Sequence, residues 1–299
     1  EPRASAFTKH ETFHLRHSWI AKGIKSIMSG EVNFDDPDAH HELGIGINML
    51  KSLAYWMQAT QLAEFTGVPK GAEAPFRLTD LGEVVAECDP YLEDMGTWWL
   101  IQYGLASNRK LAPLWYWVFN SMRARDFTEE TLFQGYTRFV REDLGGKIAD
   151  ETARRDIKCF RRTYVPPTNP TRGTQEEDLL DCPVADLNLI KESPTPGLYT
   201  LKSGSQQSLP SLIFGYSVLK FKESDANERQ TVSTDDLRWT SLSPGRIFCL
   251  DSSNTIDLIE KLDRDHDFIR LSRSEGISQV LISPNVSSKS ILSKYYRGV

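Results

Sequence analysis

Six of the seven tryptophans of this 299-residue chain, Trp19, Trp56, Trp98, Trp99, Trp115 and Trp117, fall in a single stretch of its first half. An aromatic ring buries about 150–250 Å² when packed, so that half has to close around a large aromatic core. Most of these rings are expected to pack against one another, not against a ligand. The rest of the composition is that of an ordinary globular chain, with 39% hydrophobic and 25% charged residues. The length makes two domains the prior.

Punctuation along the chain places the expected elements. Leu15, Trp19, Ile20, Ile24, Ile27 and Met28 recur at near-helical spacing and predict a helix over 14–29, which Gly30 ends. Asp35-Asp36-Pro37-Asp38 reads as the start of a short helix over 39–43, or as a solvated acidic turn. Gly44-Ile45-Gly46 turns the chain into a longer helix over 47–65, and Gly67-Val68-Pro69-Lys70-Gly71 breaks it. Phe76-Arg77-Leu78 reads as a short strand, and Thr79 caps a helix through Ala86. That order is that of a winged helix-turn-helix, with residues 47–57 as recognition helix, Asn48, Lys51 and Ser52 near its start, and Lys70 and Arg77 on the wing. The plain alternative is a helical packing unit with no DNA contact.

Further helices are expected over 93–107, 111–125, 129–144 and 148–164. Val165 to Thr174 contains Pro166, Pro167 and Pro170, which cannot continue a helix, and reads as a linker. Beyond it, strand-like pieces at 198–201 and 247–250 and helices at 210–222 and 255–262 suggest a smaller mixed domain. The expected class is therefore α+β. A mainly helical half over 1–165 carries the winged-helix-like module, and a smaller α+β domain covers 178–299.

Charge is unevenly distributed. Residues 1–30 hold five basic and two acidic groups, whereas 31–100 hold three and thirteen. The net charge of −6 argues weakly against nucleic acid, but a local basic face can coexist with an acidic body. Arg154, Lys158 and Arg161 form a basic stripe at helical spacing, suited either to tracking a phosphate backbone or to ordinary surface ion pairs.

Two dense runs could carry chemistry. In His10-Glu11-Thr12-Phe13, with Arg16 beyond it, His10 beside Glu11 could act as a general base, or the group could be a buried hydrogen-bonding knot with Arg16. A metal set of His10, His14 and His17 is a weaker possibility. Asp89, Glu93 and Asp94 place three carboxylates within six residues, able to hold Mg²⁺ or simply to cap a helix that follows Pro90. No Walker A run and no Gly-x-Ser-x-Gly is present, and Gly44-x-Gly46-x-Asn48 lacks the third glycine of a dinucleotide fingerprint. Cys88, Cys159, Cys182 and Cys249 are scattered without a Cys-x-x-Cys pair, which fits a reducing cytoplasm. No apolar run approaches the roughly 20 residues of a membrane span, and no signal pattern opens the chain.

Several runs together resemble one family. They are His10-Glu11-Thr12-Phe13-x-x-Arg16-x-x-Trp19-x-x-Lys22-Gly23, Leu43-Gly44-x-Gly46-x-Asn48-Met49, Asp89-Pro90-Tyr91-Leu92-Glu93-Asp94 with Thr97 and Trp99-Leu100, and Trp117-x-Phe119-Asn120. The basic helix ending at Tyr164 and Ser243-Pro244-Gly245-Arg246-Ile247-Phe248 also fit. The chain resembles the SspB-like family of bacterial DNA phosphorothioation (Ssp) systems, a family formerly of unknown function. The resemblance implies a protein of antiphage defence that binds double-stranded DNA and nicks one strand for sulfur insertion. The alternative is a non-catalytic DNA-recognition and assembly subunit. The implied partners are a cysteine desulfurase, an ATPase and an enzyme of the PAPS-reductase type. The resemblance brings no catalytic signature, so site expectations rest on residue chemistry. His10, Glu11 and Arg16 are the catalytic candidates, and Asp89, Glu93 and Asp94 the Mg²⁺ candidates. Lys22, Lys25, Asn48, Lys51, Arg154, Lys158 and Arg161 are the DNA contacts.

Overall fold

Arg16 is extended and opens helix α1 (His17–Ser29), which turns Trp19, Ile20 and Ile24 inward; Gly30, at φ 66°, closes it. The helix starts three residues later than its apolar spacing suggests, because residues 9–12 form a tight turn in which Glu11 and Thr12 take φ of 49° and 68°. A computed structural model describes residues 7, 9–30, 33, 34, 36, 38–66, 76–166, 182–224, 230–274 and 277–298. Helix α2 (Ala39–Leu43) ends on Gly44. Of the acidic turn before it, Asp36 and Asp38 are exposed, whereas Asp35 and Pro37 lie outside the described residues.

Helix α3 (Ile47–Ala59) is shorter than its apolar run. The Thr60 hydroxyl donates to the Trp56 carbonyl at 2.7 Å, and Gln61 takes φ 61°, so the chain leaves the helix there. It continues as β1 (Ala63–Phe65), paired antiparallel with β2 (Phe76–Leu78) through Ala63↔Leu78. The breaker at 67–71, with Lys70, lies outside the described residues. Thr79 caps α4 (Asp80–Cys88) by accepting from the Gly82 amide at 3.1 Å.

Helix α5 (Met95–Ser107) is buried on every side from Gly96 to Ala106. Such a helix belongs at the centre of a fold. α6 (Pro113–Asn120) packs directly against it, and α7 (Glu129–Glu142) packs on α8 (Asp150–Tyr164). Between α6 and α7 runs β3 (Asp126–Phe127). Trp19, Trp56, Trp98, Trp99 and Trp115 are all buried in this half; Trp239, outside the cluster, is exposed.

Most of the expected linker over 165–174 lies outside the described residues, which break off at 166 and resume at 182. The segments on either side of it are in contact. β3 pairs with β5 (Tyr199–Leu201), which also pairs with β4 (Ile190–Glu192), in a three-stranded antiparallel sheet ordered β3-β5-β4. After α9 (Ser211–Glu223) come β6 (Thr231–Ser233), α10 (Thr234–Trp239), α11 (Pro244–Ile247) and α12 (Ser252–Asp265). Strands β7 (Ile269–Ser274) and β8 (Ile277–Ile282) complete a second three-stranded antiparallel sheet, ordered β6-β8-β7. The last helix, α13 (Ser288–Arg297), packs on α9 and reaches back to α4. A buried polar chain joins three helices: the Tyr164 hydroxyl donates to Gln102 at 2.6 Å, and the Gln102 amide donates to the Ile247 carbonyl at 3.3 Å.

The expected strand at 247–250 does not form. Ser243 accepts from the Arg246 amide at 3.3 Å, Pro244 opens α11, and Cys249 leaves it at φ 54°. A cap and a first-turn proline outweigh the β-prone run that follows. The fold is mainly helical α+β with small antiparallel sheets.

Candidate functional site

The first motif turns inward. His10 is 1% exposed; its Nε2 lies 2.9 Å from Asp156 Oδ1 on α8, and its Nδ1 accepts the Thr12 amide at 3.1 Å. The Tyr136 hydroxyl donates to the other oxygen of Asp156 at 3.2 Å. Burial alone would lower the imidazole pKa, but the neighbouring Cys159 sulfur and Asp156 carboxylate raise it to about 10. Nε2 is held by Asp156 and Nδ1 by the Thr12 amide, so neither ring nitrogen is free to take a proton from a substrate. Tyr55, Trp56 and Trp115 surround its ring. Glu11 lies on the outer side of the turn, partly exposed. Arg16 is 4% exposed, with its guanidinium 4.9 Å from the Trp19 ring centre and 5.5 Å from that of Phe13. His17 contacts the Leu92 carbonyl and the Trp98 ring instead of joining His10.

The acidic motif is a junction between α4 and α5. Asp89 accepts the amides of Glu93 at 2.8 Å and Asp94 at 3.1 Å, and the Thr97 hydroxyl at 2.6 Å. Thr97 is thereby committed as a donor, so the Tyr296 hydroxyl, 2.6 Å away, donates to it. Asp94 caps α5, accepting the Gly96 amide at 2.7 Å and the Tyr295 hydroxyl at 2.6 Å. Burial, then the Asp94 carboxylate, push the Tyr295 hydroxyl well up, which keeps it a donor. Gly96 is required here, because a Cβ at that position would collide with the Tyr295 hydroxyl. The Glu93 side chain is exposed. Asp156, Tyr295 and Tyr296 carry no signal in the sequence, since each meets its partner across a separation of 146 to 201 residues that no local spacing records.

The cationic candidates divide into two groups. On α3, Ile47, Asn48 and Lys51 are exposed, while Leu50, Ser52, Leu53 and Trp56 face inward. On α1, Lys25 is exposed and Lys22 donates to the Leu43 carbonyl at 3.3 Å. On α8, Arg154 pairs with Glu130 at 3.1 Å and Arg161 with Glu129 at 2.7 Å, both at the start of α7. Arg154 also covers the Phe133 ring at 4.1 Å. Lys158 lies between them, exposed. On β2, Arg77 pairs with Glu64 at 2.6 Å.

The family described as "Protein of unknown function (DUF4007)" matches residues 7–296. The chain belongs to DUF4007. No curated protein matches it. Two crystal structures are similar over 98% of this chain and 88% of theirs. One is a magnesium ion-bound SspB, with a TM-score of 0.88 and 27% identity, and the other is SspB, with a TM-score of 0.87 and 28% identity.

In this DUF4007 chain both oxygens of Asp89 and Oδ1 of Asp94 already accept N–H and O–H groups, which leaves the exposed Glu93 and the second oxygen of Asp94 as the oxygens of the motif not so engaged for an octahedral Mg²⁺ shell. Among the described residues no three His, Cys, Asp or Glu side chains converge to hold a metal. The four cysteines are free, three of them buried. No described helix is long and apolar enough to cross a membrane.

Proposed function

We propose that this DUF4007 chain is the DNA-binding component of an Ssp-type DNA phosphorothioation system, acting in antiphage defence. The observation that carries this reading is the likeness to SspB along nearly the whole chain. Its interface is the N-terminal module, read as a winged helix-turn-helix: α1, α2 and α3, then the β1–β2 hairpin as the wing. Support comes from α3, whose first turns leave Asn48 and Lys51 in solvent while the rest of the helix is anchored in the aromatic core. A recognition helix contacts base edges with its N-terminal residues, and lysines nearby hold phosphates. Lys22 and Lys25 on α1 would serve the second task, as would Lys158 on α8. His10, Asp156 and Arg16 fix the turn that leads into α1. Glu11 keeps no assigned role. The protein presents duplex DNA to a cysteine desulfurase, an ATPase and a PAPS-reductase-type partner.

Gel-shift titration of duplex DNA tests this reading. Charge reversal at Lys51 should weaken binding, and unchanged affinity removes α3 from the interface.

A second reading, strand nicking with Mg²⁺, is favoured by one observation, that a similar SspB was crystallised with magnesium. On that reading the carboxylates concerned lie outside Asp89 and Asp94. A supercoiled-plasmid assay with Mg²⁺ and with EDTA separates the two, since only a nickase converts the plasmid to the open-circular form in a metal-dependent way.

A further inference from the structure

A cleft of about 100 Å³ opens between the C-terminal end of α6, the start of β3, the end of β5 and the α10–α11 pair. Arg123, Arg125, Lys202, Arg238 and Arg246 all line it, and among the described residues that line it there is no carboxylate. Its rim carries Trp239, which is 53% exposed. Five cations in one concavity repel each other unless an anion sits among them.

The cleft is built rather than incidental. Arg246 donates to the Asn120 carbonyl through Nε, at 3.2 Å, and through Nη2. Asn120 in turn accepts the Leu242 amide at 2.6 Å and donates to the Ala106 carbonyl at 2.8 Å. A Cβ on Gly245 would lie 2.6 Å from Arg238 Cα, so only glycine lets α11 approach α10 closely enough to set Arg238 and Arg246 side by side. Arg238 donates to the Ser252 hydroxyl, lies 3.9 Å from the Trp239 ring centre, and keeps a buried Nε without a hydrogen-bond partner. Burial, with the Lys191 ammonium alongside, lowers the pKa of Lys202. The one thiol in the cleft is inert: burial pushes Cys249 up to about 12, although Arg246 and Arg125 pull it the other way. Asp251, whose charge reaches Arg238, is engaged in capping α12.

We propose that this cleft holds a stretch of single-stranded DNA, with backbone phosphates on Arg123, Arg125, Lys202 and Arg246 and an unpaired base stacked on the face of Trp239 opposite Arg238. A cationic groove combined with an exposed aromatic ring is the arrangement that binds unpaired strands without sequence preference. A free phosphate would use the cations and leave the indole idle. This inference rests on the DNA-binding reading and deepens it, adding a strand site distinct from the duplex face of α3.

Fluorescence anisotropy with a labelled single-stranded oligonucleotide and a labelled duplex tests it. Trp239→Ala should weaken single-strand binding roughly 5- to 150-fold and leave duplex binding unchanged. Arg123→Ala with Arg125→Ala, both at exposed positions, should reduce the magnitude of the single-strand salt slope by about 1.4. The proposal is overturned if both variants bind the single strand as the wild type does. It is also overturned if inorganic phosphate displaces the strand while Trp239→Ala has no effect, which makes the cleft a simple anion site. Failure of the underlying reading looks different: the wild type then binds neither form of DNA.

Discussion

His10 Nε2 lies 2.9 Å from Asp156 Oδ1, so an ion pair buried in the aromatic core ties the turn before α1 to the middle of α8. The pair closes a loop of 146 residues. Removing one partner leaves the other charge buried and uncompensated. Asp156→Asn, at nearly constant volume, should therefore cost roughly 3–5 kcal/mol. Denaturant titration checks this, and a loss no larger than that of a surface substitution would contradict the pairing.

The same pair makes stability pH-dependent. The imidazole pKa rises from 6.5 to about 10 on folding, so its contribution is fully present below pH 6.5. It is lost progressively as pH rises toward about 10. Melting temperature should fall over that alkaline window in the wild type. His10→Gln should start lower and show a flatter profile. Parallel profiles for the two proteins would mean that His10 is not charged in the folded state.

Asp94→Ala should leave a folded protein, less stable by about 0.5–2 kcal/mol, because it removes the α5 cap and the Tyr295 contact. Calorimetric titration with Mg²⁺ should look the same for wild type and variant. Loss of a binding isotherm in the variant would restore the acidic motif as a metal site.

The elements were legible where local chemistry sets them. Thr79 capping α4, Gly44 closing α2 and the strand at Phe76–Leu78 all follow from residues next to one another. The end of α3 was less so, because a threonine hydroxyl and a left-handed Gln61 stop a run whose hydrophobicity continues. The two motifs were legible as special but not in their use. Whether Asp89 binds a metal or gathers the amides of its own loop depends on where Thr97 and Tyr296 lie, and Tyr296 is 199 residues from Thr97. Of the Arg238–Arg246 cleft, Asn120, Gly245 and Arg246 stand in runs marked in the sequence, but nothing there joins them, since the cations come from four separate segments.

On α8, Arg154 and Arg161 face Glu130 and Glu129, while Lys158 extends into solvent. Lys158→Ala should reduce the magnitude of the duplex salt slope by about 0.9, one phosphate contact. Arg154→Ala should leave that slope unchanged and cost at most about 1 kcal/mol of stability, as exposed pairs do. The reverse order of effects would mean that the arginines leave their glutamates to bind DNA.

Duplex DNA held at the start of α3 sets the salt dependence of duplex affinity, which is to be compared for wild type and Lys51→Ala. For the wild type, log K should fall linearly with log salt, and Lys51→Ala should lower the magnitude of that slope by about 0.9. Identical slopes and affinities for the two proteins, or no duplex binding at low salt, would mean that α3 does not hold DNA.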